Sequence, residues 1–134
     1  MNASTVWVVD DDQVYQQIML KSIKRSCPQA TIHFFDSGGE FLNHLSSIGN
    51  DRSQFPKLIF IDNWLPDMFA WDVIKHQQFE SFSMKSSATH IHIVSASRQV
   101  DKLKEMLRIP GVQGFWLKPI DFRDLRNVLS KARM

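Results

Sequence analysis

The strongest constraint on this 134-residue chain is its alternation of short apolar runs with segments of helical period. Residues 5–9, 31–35, 57–62, 90–94 and 112–117 are rich in β-branched and aromatic side chains and read as strands. The run at 57–62 (Lys-Leu-Ile-Phe-Ile-Asp) is continuously apolar up to its last residue, as expected of a strand buried on both faces. Between the runs the period changes. Val14, Ile18, Leu20 and Ile23 place a helix over 13–26, stopped by Pro28. Ser37-Gly-Gly-Glu40 is a capping box that opens a helix carrying Phe41, Leu42, Leu45 and Ile48. Residues 49–56 read as a loop, 70–79 as a helix, 80–90 as a helix end plus loop, and 99–108 as a helix stopped at Pro110 and Gly111. Asp121 can cap a last helix running to about residue 131. Strict β–α alternation predicts an α/β fold, a doubly wound parallel sheet with helices on both faces.

Size and charge narrow the function. The length fits one domain over 1–134, able to bury a core without staples. Lys and Arg number 16 against 14 Asp and Glu, and they are scattered, which argues against a nucleic-acid binder. Cys27 is the only cysteine, so no internal disulfide can form, and its neighbours Ser26 and Pro28 mark a helix end rather than a nucleophile. Residues 1–5 carry neither a basic segment nor an apolar stretch, and no apolar run is long enough to span a membrane. The expectation is a soluble cytoplasmic protein. Trp7, Trp71 and Trp116 are expected to fill core or helix–sheet contacts. His90 and His92 share a strand face and read as strand-edge polar residues before metal ligands.

In parallel sheets the chemistry sits beyond the carboxyl ends of the strands. Here those ends carry Asp10-Asp11-Asp12, Asp62, Ser95 and Lys118-Pro119. Carboxylates about 4 Å apart repel by roughly 4 kcal/mol at an effective dielectric near 20, so such a cluster needs counter-charge. Lys118 supplies one unit, and oxygen ligands without His or Cys select Mg²⁺ or Mn²⁺ for the rest. A carboxylate nucleophile, a hard metal, a lysine and a hydroxyl are the parts needed to form an aspartyl phosphate. No glycine-rich phosphate loop follows the first strand, so the phosphoryl donor must come from elsewhere.

Val8-Val9-Asp10-Asp11, Ile59-Phe60-Ile61-Asp62 with Leu65-Pro66-Asp67, Ile93-Val94-Ser95-Ala96 and Phe115-Trp116-Leu117-Lys118-Pro119 occur in this order, each at a strand end. With them the chain resembles the receiver domain of two-component response regulators over essentially its whole length, most of all the stand-alone bacterial type. The resemblance implies a flavodoxin-like (βα)5 fold with strand order 2-1-3-4-5. It implies Asp62 as phosphoacceptor, Asp10 and Asp11 as the acidic pair that orders Mg²⁺, and the Trp64 backbone carbonyl as a further metal ligand. Ser95 and Lys118 would contact the phosphoryl group, Phe115 would be the aromatic switch residue, and the Lys118–Pro119 bond would be cis. Asp12 falls one place past the acidic pair and is expected to cap the first helix.

Two departures from the family pattern stand out. Phe69-Ala70 replaces the usual Asp-Gly, which puts the shape of the loop after Asp62 in question. Trp64 is a bulky neighbour for the phosphate and is expected to shield the acyl phosphate from water.

The implied function is acceptance of a phosphoryl group from a phosphohistidine of a sensor histidine kinase or histidine phosphotransfer protein. Ser95 and Phe115 would then shift and remodel the surface formed by the fourth helix, fifth strand and fifth helix. Such a domain catalyses its own phosphorylation and dephosphorylation. The expectation is a monomer or weak dimer acting on a downstream protein target in trans, with no nucleic-acid or membrane binding. A pseudo-receiver, the same fold used as a phosphorylation-independent interaction module, is the alternative. A metal-dependent phosphatase would need a carboxylate two places after its nucleophile, where Trp64 stands, and a flavodoxin-like cofactor binder would need a phosphate loop after the first strand.

Overall fold

A computed structural model describes residues 4–86 and 88–134. The sequence reading at residues 1–3, and at Ser87 within the predicted loop, lies outside them. The elements run β1 (Thr5–Val9), α1 (Gln13–Ser26), β2 (Thr31–Phe35), α2 (Gly38–Ile48), β3 (Leu58–Asp62), α3 (Ala70–Lys75), α4 (Gln77–Lys85), β4 (His90–Ser95), α5 (Leu103–Leu107), β5 (Val112–Leu117) and α6 (Phe122–Lys131). All strand pairs are parallel and the order is β2-β1-β3-β4-β5, the doubly wound arrangement expected from the sequence.

Side chains alternate across the sheet and build two cores. Trp7, Val9, Ile59, Ile61, Ile91 and Ile93 pack under Phe41, Leu45, Val73, Phe79 and Met106 of α2, α3, α4 and α5. Val6, Val8, Leu58, Phe60 and Val94 pack against Tyr15, Met19 and Ile23 of α1 and Leu125, Val128 and Leu129 of α6. Burial on both faces explains why β1 and β3 are continuous apolar runs.

The sheet register sets the functional edge. Val9 pairs with Phe35 and Ile61, Asp62 with Val94, and Ser95 with Leu117. The next residues, Asp10 and Lys118, therefore emerge level with Asp62 and Ser95.

Several expected elements need correction. In α1 the inward face is Tyr15, Gln16, Met19 and Ile23, while Val14 and Ile18 are 72% and 43% exposed. Gln16 is drawn inward because its amide bonds the Asp10 carbonyl and the Asp36 carboxylate. The helix predicted over 70–79 is two helices broken at His76, whose backbone is extended and whose Nδ1 accepts the Gln78 amide; the second helix continues to Lys85. The helix predicted over 99–108 shrinks to Leu103–Leu107. Before it, Ser97 Oγ accepts the Gln99 amide and Lys102 takes a left-handed conformation, so local side-chain bonds replace a helical turn. The loop at 49–56 contains a 3₁₀ turn, Arg52–Gln54, and buries Phe55. Ser37 does cap the Glu40 amide, but Glu40 reaches back to the amide of Asp36, one residue before the cap. Asp121 stands at the N-cap of α6 without a side-chain bond to it.

Candidate functional site

Asp10 is fully buried where β1 ends. Its amide donates to the Phe35 carbonyl at 2.9 Å, and its own carbonyl accepts Gln16 Nε2 at 2.6 Å, so both main-chain groups are fixed by neighbouring elements. Its Oδ1 accepts the Asp12 amide at 2.9 Å, and its Oδ2 meets the Lys118 ammonium at 2.5 Å. Asp12 then caps α1, accepting the amides of Val14 and Tyr15, as expected. Asp62 is buried at the end of β3 with Oδ2 3.4 Å from Lys118 Nζ, and Asp11 is exposed beside them. One carboxylate oxygen from each of Asp10, Asp11 and Asp62 lies within 4.8 Å of the others.

Burial dominates the electrostatics. It pushes the Asp62 carboxyl up to about 6, the charge of Asp10 adds to the rise, and Lys118 pulls only part of it back. Burial also raises Asp10. For Lys118 burial acts downward, but the bond to Asp10 and the charge of both carboxylates outweigh it and raise the ammonium's pKa. Three carboxylates and one ammonium leave a formal −2 (−3 + 1). A hard divalent cation with oxygen ligands matches that charge and that donor set, so the residues fit Mg²⁺ or Mn²⁺.

Ser95 is buried at the end of β4, next to the strand that carries Asp62, and its Oγ accepts the Ser97 amide at 3.1 Å. Phe115 on β5 pairs with Ile93 and is half-buried against the first core. The Lys118–Pro119 bond is cis, and the Lys118 amide donates to the Ser95 carbonyl at 2.9 Å. Trp64 is 72% exposed, its ring 5.6 Å from that of Phe69.

The loop after Asp62 closes without the usual glycine. Asn63 donates to the Val94 carbonyl, Leu65 to the Met68 carbonyl, and Ala70 to the Asn63 carbonyl, while Trp64 and Phe69 form an antiparallel bridge. Phe69 is extended, with its amide on the Asp72 carboxylate, and Ala70 is fully buried at the start of α3. Positive φ among the described residues occurs only at Gly49, Lys102, Gly111 and Arg133, so no turn here needs a left-handed residue.

Other sequence candidates fall elsewhere. His92 is buried, accepts Trp116 Nε1 on Nδ1 at 2.9 Å, and is not part of the acidic cluster. Cys27 is buried as the C-cap of α1. Trp7 is core, whereas Trp71 and Trp116 are half-buried against the two cores. Sequence reasoning missed two residues that shape the site, Tyr15, whose ring lies under Lys118 with its centroid 4.4 Å from Nζ, and Gln16; the motif residue Asp67 has a role it did not foresee, accepting the first two amides of α2. Gln16 left no signal in the hydrophobic period, because its partners Asp10 and Asp36 stand at the ends of two strands.

Comparison with known proteins bears on the fold and the family. The chain is 28% identical over 131 residues to the transcriptional regulatory protein CitB of Klebsiella pneumoniae, covering 98% of this chain but 51% of CitB, so it spans about half that relative's length. Among solved structures it is similar to a two-component response regulator from Cytophaga hutchinsonii, with 21% identity, TM-score 0.81 and 96% of each chain covered. It is also similar to a chain in the co-crystal of the Saccharomyces cerevisiae histidine phosphotransfer signaling protein Ypd1 and the receiver domain of its downstream response regulator Ssk1; identity is 19%, TM-score 0.72, and coverage 95% and 86%. The model of the response regulator receiver domain matches residues 6–130, and the chain belongs to that family of two-component signalling domains.

Proposed function

We propose that this receiver domain takes a phosphoryl group onto Asp62 from the phosphohistidine of a sensor histidine kinase or histidine phosphotransfer protein. The observation that carries the reading is the buried Asp62 carboxylate held between Asp10, Asp11 and the Lys118 ammonium at one sheet edge. An Asp62 oxygen attacks phosphorus, the P–N bond of the donor breaks, and the imidazole leaves with the electron pair of that bond. Asp10, Asp11, Asp62 and the Trp64 carbonyl would hold Mg²⁺, which supplies charge neutralisation at the phosphoryl oxygens when bound. Lys118 lies within reach of a group on Asp62 and offsets part of the added charge of about −1.5 to −2.

Ser95 then gives up the Ser97 amide for the phosphoryl group, and half-buried Phe115 turns into the space beside it. The change is read on the surface of α5, β5 and α6 by a protein target. The donor protein docks on the outward face of α1, where Val14 and Ile18 stand exposed close to Asp11. The reading describes one receiver domain over 1–134. An intact acidic set with its lysine favours it over a pseudo-receiver.

Beryllium fluoride with Mg²⁺, a mimic of an acyl phosphate, tests the reading by amide NMR. The native chain should shift at Asp62, Ser95, Phe115 and Lys118, and Asp62→Asn should not. A native chain that does not respond contradicts the proposal.

A further inference from the structure

Tyr15 is buried in the first turn of α1, and its ring is the platform under Lys118, with Nζ 4.4 Å from the ring centroid. The contact closes a circuit. Lys118 pairs with Asp10, Asp10 Oδ1 accepts the amide of Asp12, Asp12 Oδ1 accepts the amide of Tyr15, and the Tyr15 ring returns to Lys118. A lysine ammonium sits on a flexible four-carbon stem and is hard to hold in one place by charge alone. Its two carboxylate partners here are unequal, at 2.5 Å for Asp10 and 3.4 Å for Asp62. An aromatic face attracts a cation through its negative quadrupole and blocks one direction of escape. The Tyr15 hydroxyl, by contrast, is buried with no hydrogen-bond partner among the described residues, so it is the ring that engages the site.

We infer that Tyr15 is a positioning residue: its ring holds the Lys118 ammonium over Asp10 and Asp62, where it can meet a phosphoryl group. The inference rests on the phosphoacceptor role proposed for Asp62, but the placement of Lys118 can be read without it. In ¹H NMR of the native chain, the terminal methylene protons of Lys118 should be shifted upfield by the ring. Tyr15→Met, of similar bulk, should return them to ordinary positions, and Tyr15→Phe should restore the shift. Phosphoryl uptake from acetyl phosphate at saturating Mg²⁺ should fall about fivefold in Tyr15→Met and recover in Tyr15→Phe.

Unshifted Lys118 methylenes in the native chain would overturn the inference without any variant. So would equal phosphorylation of Tyr15→Met and native chain, or a loss in Tyr15→Phe as large as in Tyr15→Met. A native chain that takes no phosphoryl group contradicts the Asp62 reading instead, and the ring shift still decides where Lys118 sits.

Discussion

The Asp67 carboxylate accepts the backbone amide of Gly38 at 2.9 Å and, with its other oxygen, that of Gly39 at 2.8 Å. The loop after the proposed phosphoacceptor is thereby anchored to the start of α2 across the sheet. Gly38 permits the approach, because a Cβ there would meet Met68 Sδ at 2.5 Å. Two unsatisfied amides at a helix N-terminus attract an anion. Asp67→Ala should cost about 1–2 kcal/mol, the range for losing a strong N-cap. Urea unfolding of the variant measures it, and an unchanged midpoint would mean that solvent replaces the carboxylate without loss.

Asp62 stores charge at the expense of stability. Its carboxyl is raised from 3.8 to about 6 by burial and by Asp10. A raised folded-state pKa gives stability that is complete below about 3.8 and is lost as pH rises through about 6. Asp62→Asn should therefore stabilise the metal-free chain at pH 7.5, by up to about 3 kcal/mol. The gain should vanish at pH 4. Chemical unfolding at the two pH values checks this, and a variant less stable than the native chain at pH 7.5 contradicts it.

The sheet and the acidic cluster were legible because both follow from short-range rules. The apolar runs of β1 and β3 suit strands buried on both faces, and the aspartate after each run then emerges at the same edge. The α1 face was not legible in the same way. Val14 and Ile18 look like core residues, but the Gln16 amide bonds the carbonyl of buried Asp10 and the carboxylate of exposed Asp36, and Tyr15 faces inward beside it. Those partners lie on other strand ends and leave no periodic trace. The break at His76 and the shortening of α5 also escaped, because His76 and Ser97 accept nearby backbone amides and Lys102 turns left-handed, none of which hydrophobic period records.

His92 should dominate acid sensitivity. Burial first, then the charges of His90 and Lys131, lower it from 6.5 to about 4. A lowered pKa gives stability that is complete above about 6.5 and is lost as pH falls through about 4, a loss of about 3 kcal/mol. Asp62 acts in the opposite sense over an overlapping interval, so the difference between native chain and variant isolates the histidine. His92→Gln, whose amide oxygen can still accept Trp116 Nε1, should lose less stability than the native chain between pH 7 and pH 4. Parallel stability curves would contradict the assignment.

Trp64 is exposed on the rim beside Phe69, in a hollow of about 450 Å³ that it shares with Trp71, Gln99 and Lys102. An apolar ring at that place should slow the approach of water to an acyl phosphate on Asp62. Trp64→Ala should shorten the lifetime of the phosphorylated chain a few-fold, measured by phosphate release after removal of the donor. An unchanged lifetime would mean that Trp64 does not shield the phosphate.

The function proposed for this site depends on Asp62 accepting a phosphoryl group. Intact mass after incubation with acetyl phosphate and Mg²⁺ tests it most directly, with Asp62→Asn alongside. The native chain should gain one phosphoryl group, a gain abolished by chelation of the metal and absent from Asp62→Asn. A folded native chain that gains nothing, or an Asp62→Asn chain that gains as much, would contradict it.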